Sequence, residues 1–292
     1  MNSNHSPYVS VIIPVFNEAE SVEDTINDLK IELNNTNFAY EIIAVNDGSN
    51  DGTFEVLSQI ENIQVLNRVE NKGYGYSIKE GIKISKADKI MIIDADGSYP
   101  VNMAGELLKH ADQNNMVIGE RRVDRFSMAF LNRAAKIIIR SIIFILSRHW
   151  IKDFNSGMRV FDKSLAERYW HLFPNGFSFT TTITVATLIE EKKIKFIPIV
   201  YIKRVGKSKL PRISSFFGFI LLVTRITIYF RPLRFYFLFS FVFFILFIIR
   251  AARDVYITNS FGNATLILFL IATQAFFFGL VADLIVRQSN KN

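Results

Sequence analysis

Along the first 120 positions the apolar residues change spacing in a regular way. Tyr8–Val15 is an apolar, β-branched run that reads as a strand stopped by Pro14, and Ala19–Leu33 carries Val22, Ile26, Leu29 and Leu33 at helical spacing. The same alternation follows in Glu41–Val45 (strand), Thr53–Ile60 (helix), Ile63–Asn67 (strand), Gly75–Ser85 (helix), Lys89–Ile93 (strand) and Met116–Gly119 (strand). Runs such as Ile90-Met91-Ile92-Ile93 lack a polar face, as expected of strands covered on both sides. Strands and helices taking turns in this way predict an α/β, doubly wound, mostly parallel sheet with right-handed crossovers.

From Phe216 onward the pattern is lost in Phe, Ile and Leu, and composition now changes the picture: half of the 292 residues are hydrophobic and 28 are Phe. Pro232–Ile249 and Phe261–Val286 each approach or exceed the roughly 20 apolar residues a membrane-spanning helix needs. They predict a hairpin of two spans, about 232–249 and 261–286, joined by Arg250–Ser260. Its apolar surface would allow homo-oligomers. Lys203, Arg204, Lys207, Lys209 and Arg212 cluster just before it, which by the positive-inside rule puts the preceding domain on the cytosolic face of the cell (inner) membrane. Ile213–Phe230, apolar but interrupted by Ser214, Ser215, Thr224, Arg225 and Thr227, reads as a helix lying in the interface, with a third span as the alternative. The expected organisation is a catalytic domain over 1–212, an interfacial helix over 213–231 and a transmembrane hairpin over 232–292. Met1–Tyr8 is polar, without a signal-peptide pattern, and the lack of cysteine excludes disulfides and thiolate metal sites.

Candidate chemistry sits where the predicted strands end. Asp94-Ala95-Asp96-Gly97 places two carboxylates one residue apart, and carboxylates so close repel unless a cation lies between them. A hard divalent ion, Mg²⁺ or Mn²⁺, suits that need, while an ordinary polar turn is the plainer reading. Asn17-Glu18 and Asn46-Asp47-Gly48-Ser49 end two other strands and should converge on the same crevice. Asn71-Lys72-Gly73-Tyr74-Gly75 opens a helix, and its backbone N–H groups and Lys72 suit a diphosphate, although a helix-start turn reads the same way. Neither a dinucleotide glycine fingerprint after the first strand nor a Walker lysine motif is present, which disfavours nicotinamide enzymes and P-loop ATPases. Beyond Arg121-Arg122, the segment Ser127–Leu146 has Arg133, Lys136 and Arg140 at three- and four-residue spacing opposite an apolar face. It reads as a helix on a membrane surface, or else as a buried helix with solvated arginines. Phe177 to Thr182 looks like a helix cap, and Asp283 like an interfacial acid, with a lipid-phosphate or subunit contact as the alternative.

The ordered motifs Pro14-Val15-Phe16-Asn17-Glu18, Asn46-Asp47-Gly48-Ser49, Asn71-Lys72-Gly73-Tyr74-Gly75 and Asp94-Ala95-Asp96 resemble the family 2 glycosyltransferases of GT-A fold. Asp153 to Arg159 and Arg204 to Lys209 resemble the branch acting on polyprenyl phosphate, which includes dolichyl-phosphate mannose synthases and bacterial undecaprenyl-phosphate sugar transferases. The resemblance spans about residues 8–212. It differs at Asn46, where the family usually has Asp, and at Ser98, where a further metal ligand often follows.

The resemblance implies a metal-dependent, inverting transfer of one sugar from a UDP- or GDP-sugar to polyprenyl phosphate, with no nucleic-acid partner. Asp96 would be the chief metal ligand, Asp94 a second ligand or ribose contact, and Ser98 would take the third position. Pro14, Phe16, Glu18 and Asp47 would line the donor's base and ribose, with Lys72 near its diphosphate. Arg121 and Arg133 would grip the lipid phosphate, assisted by Arg159, Arg204 and Lys209. Asp153 would orient the acceptor or act as base, and orientation is expected because the acceptor phosphate is already ionised at neutral pH. A processive polysaccharide synthase is disfavoured by the lack of a Gln-x-x-Arg-Trp motif, and a non-catalytic scaffold or flippase subunit by the retained acids and bases.

Overall fold

A computed structural model describes residues 6–122, 144, 151, 153–176, 178–202, 224, 227–229 and 231–289. The chain divides into two units, Met1–Phe216 and Phe217–Asn292. In the first, β1 (Val9–Val15), α1 (Val22–Asn34), β2 (Tyr40–Asp47), α2 (Thr53–Gln59), β3 (Gln64–Arg68), α3 (Tyr74–Ile84) and β4 (Lys89–Ile92) alternate as the apolar spacing predicts. There follow a 3₁₀ turn (Val101–Met103), α4 (Ala104–Lys109), β5 (Met116–Arg121), β6 (Arg159–Asp162), α5 (Lys163–Arg168), α6 (Phe179–Ile189) and β7 (Ile194–Ile199). The strands form one seven-stranded sheet in the order β3-β2-β1-β4-β6-β5-β7.

All of β1 is buried because helices cover both faces of the sheet. Val9, Val11, Ile13 and Val15 join the α1 stripe (Val22, Ile26, Leu29, Leu33) and Leu107 and Leu108 of α4 in one core. On the other face α3 comes so close that a Cβ on Gly81 would stand 2.6 Å from Ile12. Burial of each such aliphatic side chain is worth about 1.5–3 kcal/mol, which is what holds the layers together. Pro14 does not stop β1: it pairs with Val45 of β2, but the ladder to β4 has already ended at Ile12 and Ile92, so one flank is open there and the missing N–H is tolerated.

Two features of the topology position a site. The chain leaves β1 for β2 and β3 on one side and returns as β4 on the other, so a crevice opens at the carboxyl ends of β1 and β4. Then β6 inserts antiparallel to both β4 and β5, with Arg159 opposite Ile92 and Ile118. Being antiparallel, β6 brings its start, and the loop before it, to the same edge at which β4 and β5 end.

The second unit contains α7 (Pro232–Thr258) and α8 (Asn263–Ser289), two helices long and apolar enough to cross a membrane. The segment expected as a connecting loop from Arg250 is helical as far as Thr258. Asp254 explains the extension: its carboxylate pairs with Arg250 at 3.2 Å and accepts hydrogen bonds from Gly262 N–H at 3.0 Å and Thr265 Oγ1 at 2.6 Å, closing a tight turn. Ser240 Oγ donates to the Ala272 carbonyl at 2.7 Å, linking the two helices. The expected interfacial helix at Ile213–Phe230 lies outside the described residues except at 224 and 227–229, which are helical.

Candidate functional site

At the β1 end, Asn17 adopts a left-handed conformation (φ 54°), accepts the Asn50 N–H on its side chain at 2.8 Å and donates its own N–H to Ser49 Oγ at 2.8 Å. Glu18 N–H donates to Thr53 Oγ1 at 3.0 Å. The loops after β1 and β2 are thus stitched together. Pro14 is buried, whereas Phe16 and Glu18 are partly exposed beside the crevice. Asn46, in the place of the family's usual acid, donates to Asn67 Oδ1 at 2.8 Å and accepts from the Ser49 hydroxyl.

The acid pair leaves β4 in a well-supported turn. Ser21 Oγ and Thr25 Oγ1 at the start of α1 donate to the carbonyl of Ala95 at 2.9 and 3.3 Å, pinning the residue between the two acids. Asp96, only 8% exposed, accepts from both the N–H and the hydroxyl of Ser98 on Oδ1. Ser98 therefore orients Asp96 whatever else it does. Asp94 Oδ1 accepts the Tyr74 hydroxyl at 2.7 Å, and a Cβ on Gly157 would lie 2.3 Å from Asp94 Oδ2. Burial first, and the charge of Asp94 second, push the Tyr74 phenol well above its ordinary value, so it stays protonated and donates.

The glycine loop departs from expectation. Asp47 accepts the N–H groups of Lys72 at 2.9 Å and Gly73 at 2.7 Å. Gly75 and Tyr76 N–H donate to the carbonyls of Gly176 and Asn175 at 3.2 and 3.0 Å. Three of the backbone donors expected to face a diphosphate, those of Lys72, Gly73 and Gly75, are thereby engaged within the protein. The glycines serve close packing instead, since a Cβ on Gly75 would meet the Pro174 carbonyl at 2.3 Å and one on Gly73 the Asn175 carbonyl at 2.7 Å. What the loop offers a ligand is the exposed Lys72, whose ammonium lies 5.4 Å from the Tyr76 ring centre.

On the β5 side, Arg121 forms a bidentate pair with Asp153, Nε to Oδ2 and Nη2 to Oδ1, both at 2.8 Å. Burial alone would raise the Asp153 carboxyl, but hydrogen bonds and charge from Arg121 outweigh it and hold the group below its ordinary value. Asp153 is therefore ionised at neutral pH and a poor base. The Arg121 guanidinium stands 5.4 Å from the ring of Tyr201, which packs edge-on to Tyr99 with centroids 5.2 Å apart. Tyr99 in turn accepts the Gly157 N–H at 2.6 Å.

Arg159 lies apart from the ligand role expected of it: it is 0% exposed, with Nε and Nη2 on the Ser156 carbonyl and Nη1 on the Thr180 carbonyl and Thr184 Oγ1. Burial lowers its pKa to about 10, so it remains a cation at neutral pH. Arg133, Arg204 and Lys209, together with the helix expected over Ser127–Leu146 apart from residue 144, fall outside the described residues. Tyr74, Tyr99, Tyr201 and Thr184 join the site although sequence reasoning missed them. Only Tyr74, inside the glycine loop, carried a signal that could have singled it out.

Among the described residues no group of three or more His, Cys, Asp or Glu gathers around one point. This excludes a closed protein cage there, but two carboxylates at a strand end suit a Mg²⁺- or Mn²⁺-like ion whose remaining positions are filled by substrate phosphate and water.

Residues 10–170 match the model of Glycosyl transferase family 2, and residues 231–287 that of the GtrB C-terminal hairpin. A dolichyl-phosphate beta-glucosyltransferase of Trichomonas vaginalis is 26% identical over 247 residues, covering 77% of this chain and 72% of that protein. An undecaprenyl-phosphate 4-deoxy-4-formamido-L-arabinose transferase of Edwardsiella ictaluri is 30% identical over 169 residues, 56% of this chain and about half (52%) of its own length. Among solved structures, mannosyl-3-phosphoglycerate synthase of Rubrobacter xylanophilus superposes with TM-score 0.60 at 18% identity, covering 76% and 74% of the two chains. Glucosyl-3-phosphoglycerate synthase of Mycobacterium tuberculosis, solved with Mn²⁺, UDP-glucose and phosphoglyceric acid, does so at 0.59 and 16%, covering 75% and 79%. These two likenesses establish the fold.

Proposed function

Because the chain belongs to Glycosyl transferase family 2, we propose that it transfers one sugar from a nucleoside-diphosphate donor to a polyprenyl phosphate at the cytosolic surface of a membrane, with inversion at the sugar carbon. The observation that carries this reading is the meeting, at one sheet edge, of the Asp94–Asp96 turn with the Arg121–Asp153 pair. Relatives named for dolichyl- and undecaprenyl-phosphate transfer, and the match to a C-terminal hairpin, support a lipid-phosphate acceptor and membrane association.

Asp96 and Asp94 would hold Mg²⁺ or Mn²⁺, with Ser98 and Tyr74 fixing the two carboxylates. When bound, the ion supplies a Lewis acid that stabilises charge growing on the departing diphosphate. Phe16, Glu18 and Asp47 stand on the donor side, Asp47 through its grip on the loop that carries Lys72. The Lys72 ammonium adds positive charge there without backbone help. On the acceptor side Arg121 presents its cation, and Asp153 keeps that cation oriented instead of removing a proton. No strong base is required, since a phosphate monoester is already an anion at neutral pH. Arg133, Arg204 and Lys209 are assigned to the same lipid phosphate on the strength of the motifs. Direct displacement by that anion inverts an α-linked donor to a β-linked lipid-phosphate sugar.

The test uses the full chain purified in detergent, undecaprenyl phosphate, and a panel of radiolabelled UDP- and GDP-sugars. One donor should yield a lipid-extractable sugar phosphate, and Asp96→Asn should lower the rate by about 100-fold or more, the scale of losing a key electrostatic stabiliser. Transfer to lipid from none of the donors refutes the function; an undiminished rate in Asp96→Asn refutes the metal assignment.

A further inference from the structure

A guanidinium that is wholly buried and pairs with no carboxylate among the described residues is costly to keep. Arg159 is such a group, and its contacts show what it holds together. Two of its nitrogens clasp the Ser156 carbonyl, at 2.9 Å from Nε and 2.5 Å from Nη2, while Nη1 reaches the Thr180 carbonyl and Thr184 Oγ1, both at 2.7 Å. It therefore joins the loop before β6 to the first turns of α6. The residue after Ser156 is Gly157, whose Cα abuts the Asp94 carboxylate. Three residues before Ser156 is Asp153, which holds Arg121. Fixing one carbonyl thus fixes the backing of a residue on each side of the crevice.

We propose that Arg159 is a positioning residue that never touches substrate and that sets Asp94 and Arg121 together by locking the 153–157 loop onto α6. This rests on the transferase reading above, and it replaces the phosphate-binding role that the motif alone suggests for Arg159. Only a planar fork with several donors can serve one carbonyl and two further acceptors at once; a lysine ammonium keeps the charge but cannot span them.

The experiment compares wild type, Arg159→Lys and Thr184→Val, each as the full chain in detergent. Four quantities are read: kcat, KM for undecaprenyl phosphate, Mn²⁺ affinity by electron paramagnetic resonance, and Tm. For Arg159→Lys the expectation is a kcat at least tenfold lower, Mn²⁺ binding weakened at least threefold, and any rise in KM, through Arg121, smaller than the fall in kcat. Thr184→Val, which removes one acceptor and leaves the charge, should lower kcat about threefold in the same pattern. A tenfold rise in KM with kcat and Mn²⁺ affinity unchanged would make Arg159 a phosphate ligand and overturn the proposal. So would losses that merely follow the folded fraction. If Arg159→Lys does not fold, Thr184→Val decides: the threefold kcat loss with any rise in KM smaller than it supports positioning, and an unchanged kcat refutes it. Failure of the transferase reading is recognised separately, by wild type itself transferring no sugar, in which case Mn²⁺ affinity across the variants still tests the lock.

Discussion

Replacing Gly157 by alanine strikes Asp94 first, since the three heavy atoms nearest the added methyl all belong to it. Gly157 is not among the residues of positive φ, so an alanine backbone is admissible there. The added methyl would stand 2.3 Å from Asp94 Oδ2, 2.6 Å from its Cγ and 2.7 Å from Oδ1. Restoring ordinary contact requires the carboxylate to withdraw by about 1 Å, and the Tyr74 hydrogen bond, at 2.7 Å, has no slack to follow it. A displacement of about 1 Å at a reacting centre costs on the order of 100-fold in rate, or about 2.7 kcal/mol of barrier. The stability cost of the crowding is about 1–3 kcal/mol, a Tm lowered by several degrees in a protein that remains folded. Initial rates of sugar transfer, Mn²⁺ affinity and thermal unfolding are measured for Gly157→Ala beside Gly176→Ala, where a Cβ would meet nothing within 4 Å. A Gly157→Ala enzyme within threefold of the Gly176→Ala control, in rate and in Mn²⁺ affinity, would refute the argument that Asp94 works from its place against Gly157.

The buried pair on the other side of the crevice gives a pH signature. The Asp153 carboxyl is held below its ordinary 3.8, so the pair's stabilisation is present above that pH and is lost as pH falls through the lower, folded-state value. Asp153→Asn, which leaves Arg121 without its counter-charge, should cost about 3–5 kcal/mol at neutral pH. Its Tm deficit relative to wild type should shrink below about pH 4, and a deficit constant from pH 7 to 3 would refute the pairing. Gly75→Ala should destabilise by about 1–3 kcal/mol in chemical denaturation, because the atoms it would strike are the backbone carbonyls of Pro174 and Gly176, which cannot swing aside. A neutral result there would mean that the glycine loop does not pack on residues 174–176.

The half of the sheet built from β1 to β4 was legible because β1, β2 and β4 centre on continuous apolar runs and helices of clear period separate the strands. Of the half that completes the site, β5 was read as Met116–Gly119, whereas β6 and β7 were not. β6 is Arg-Val-Phe-Asp, four residues opening on a charged side chain, and nothing in such a segment announces a buried strand. β7 carries Lys195 and Pro198, and its alternation survives only because it lies at the sheet's edge. Arg159 illustrates the deeper difficulty. A basic residue in a ligand-binding motif reads as a ligand when only its charge is visible, whereas its partners here are two carbonyls and a hydroxyl, and carbonyl partners leave no trace in side-chain identity. The glycine loop misled for the same reason: its N–H groups suited a diphosphate until the carboxylate of Asp47 and the carbonyl of Gly176 took them up.

The antiparallel strand also bears on how, under the proposed function, one sheet would serve two anionic substrates. A purely parallel sheet would deliver to this edge only the loops that follow its strands. Inserting β6 in reverse delivers a loop that precedes a strand, and this loop reaches both neighbours at once: Gly157 touches the acid that ends β4, and Asp153 binds the arginine that ends β5. The carboxylate proposed for the donor side (Asp94) and the cation proposed for the acceptor side (Arg121) are therefore backed by residues four apart on a single segment. A cation placed too near Asp94 and Asp96 would compete with a metal ion for them. Asp153 ties Arg121 in place through two hydrogen bonds and supplies its counter-charge, which on the proposed reading leaves Asp94 and Asp96 to a metal ion.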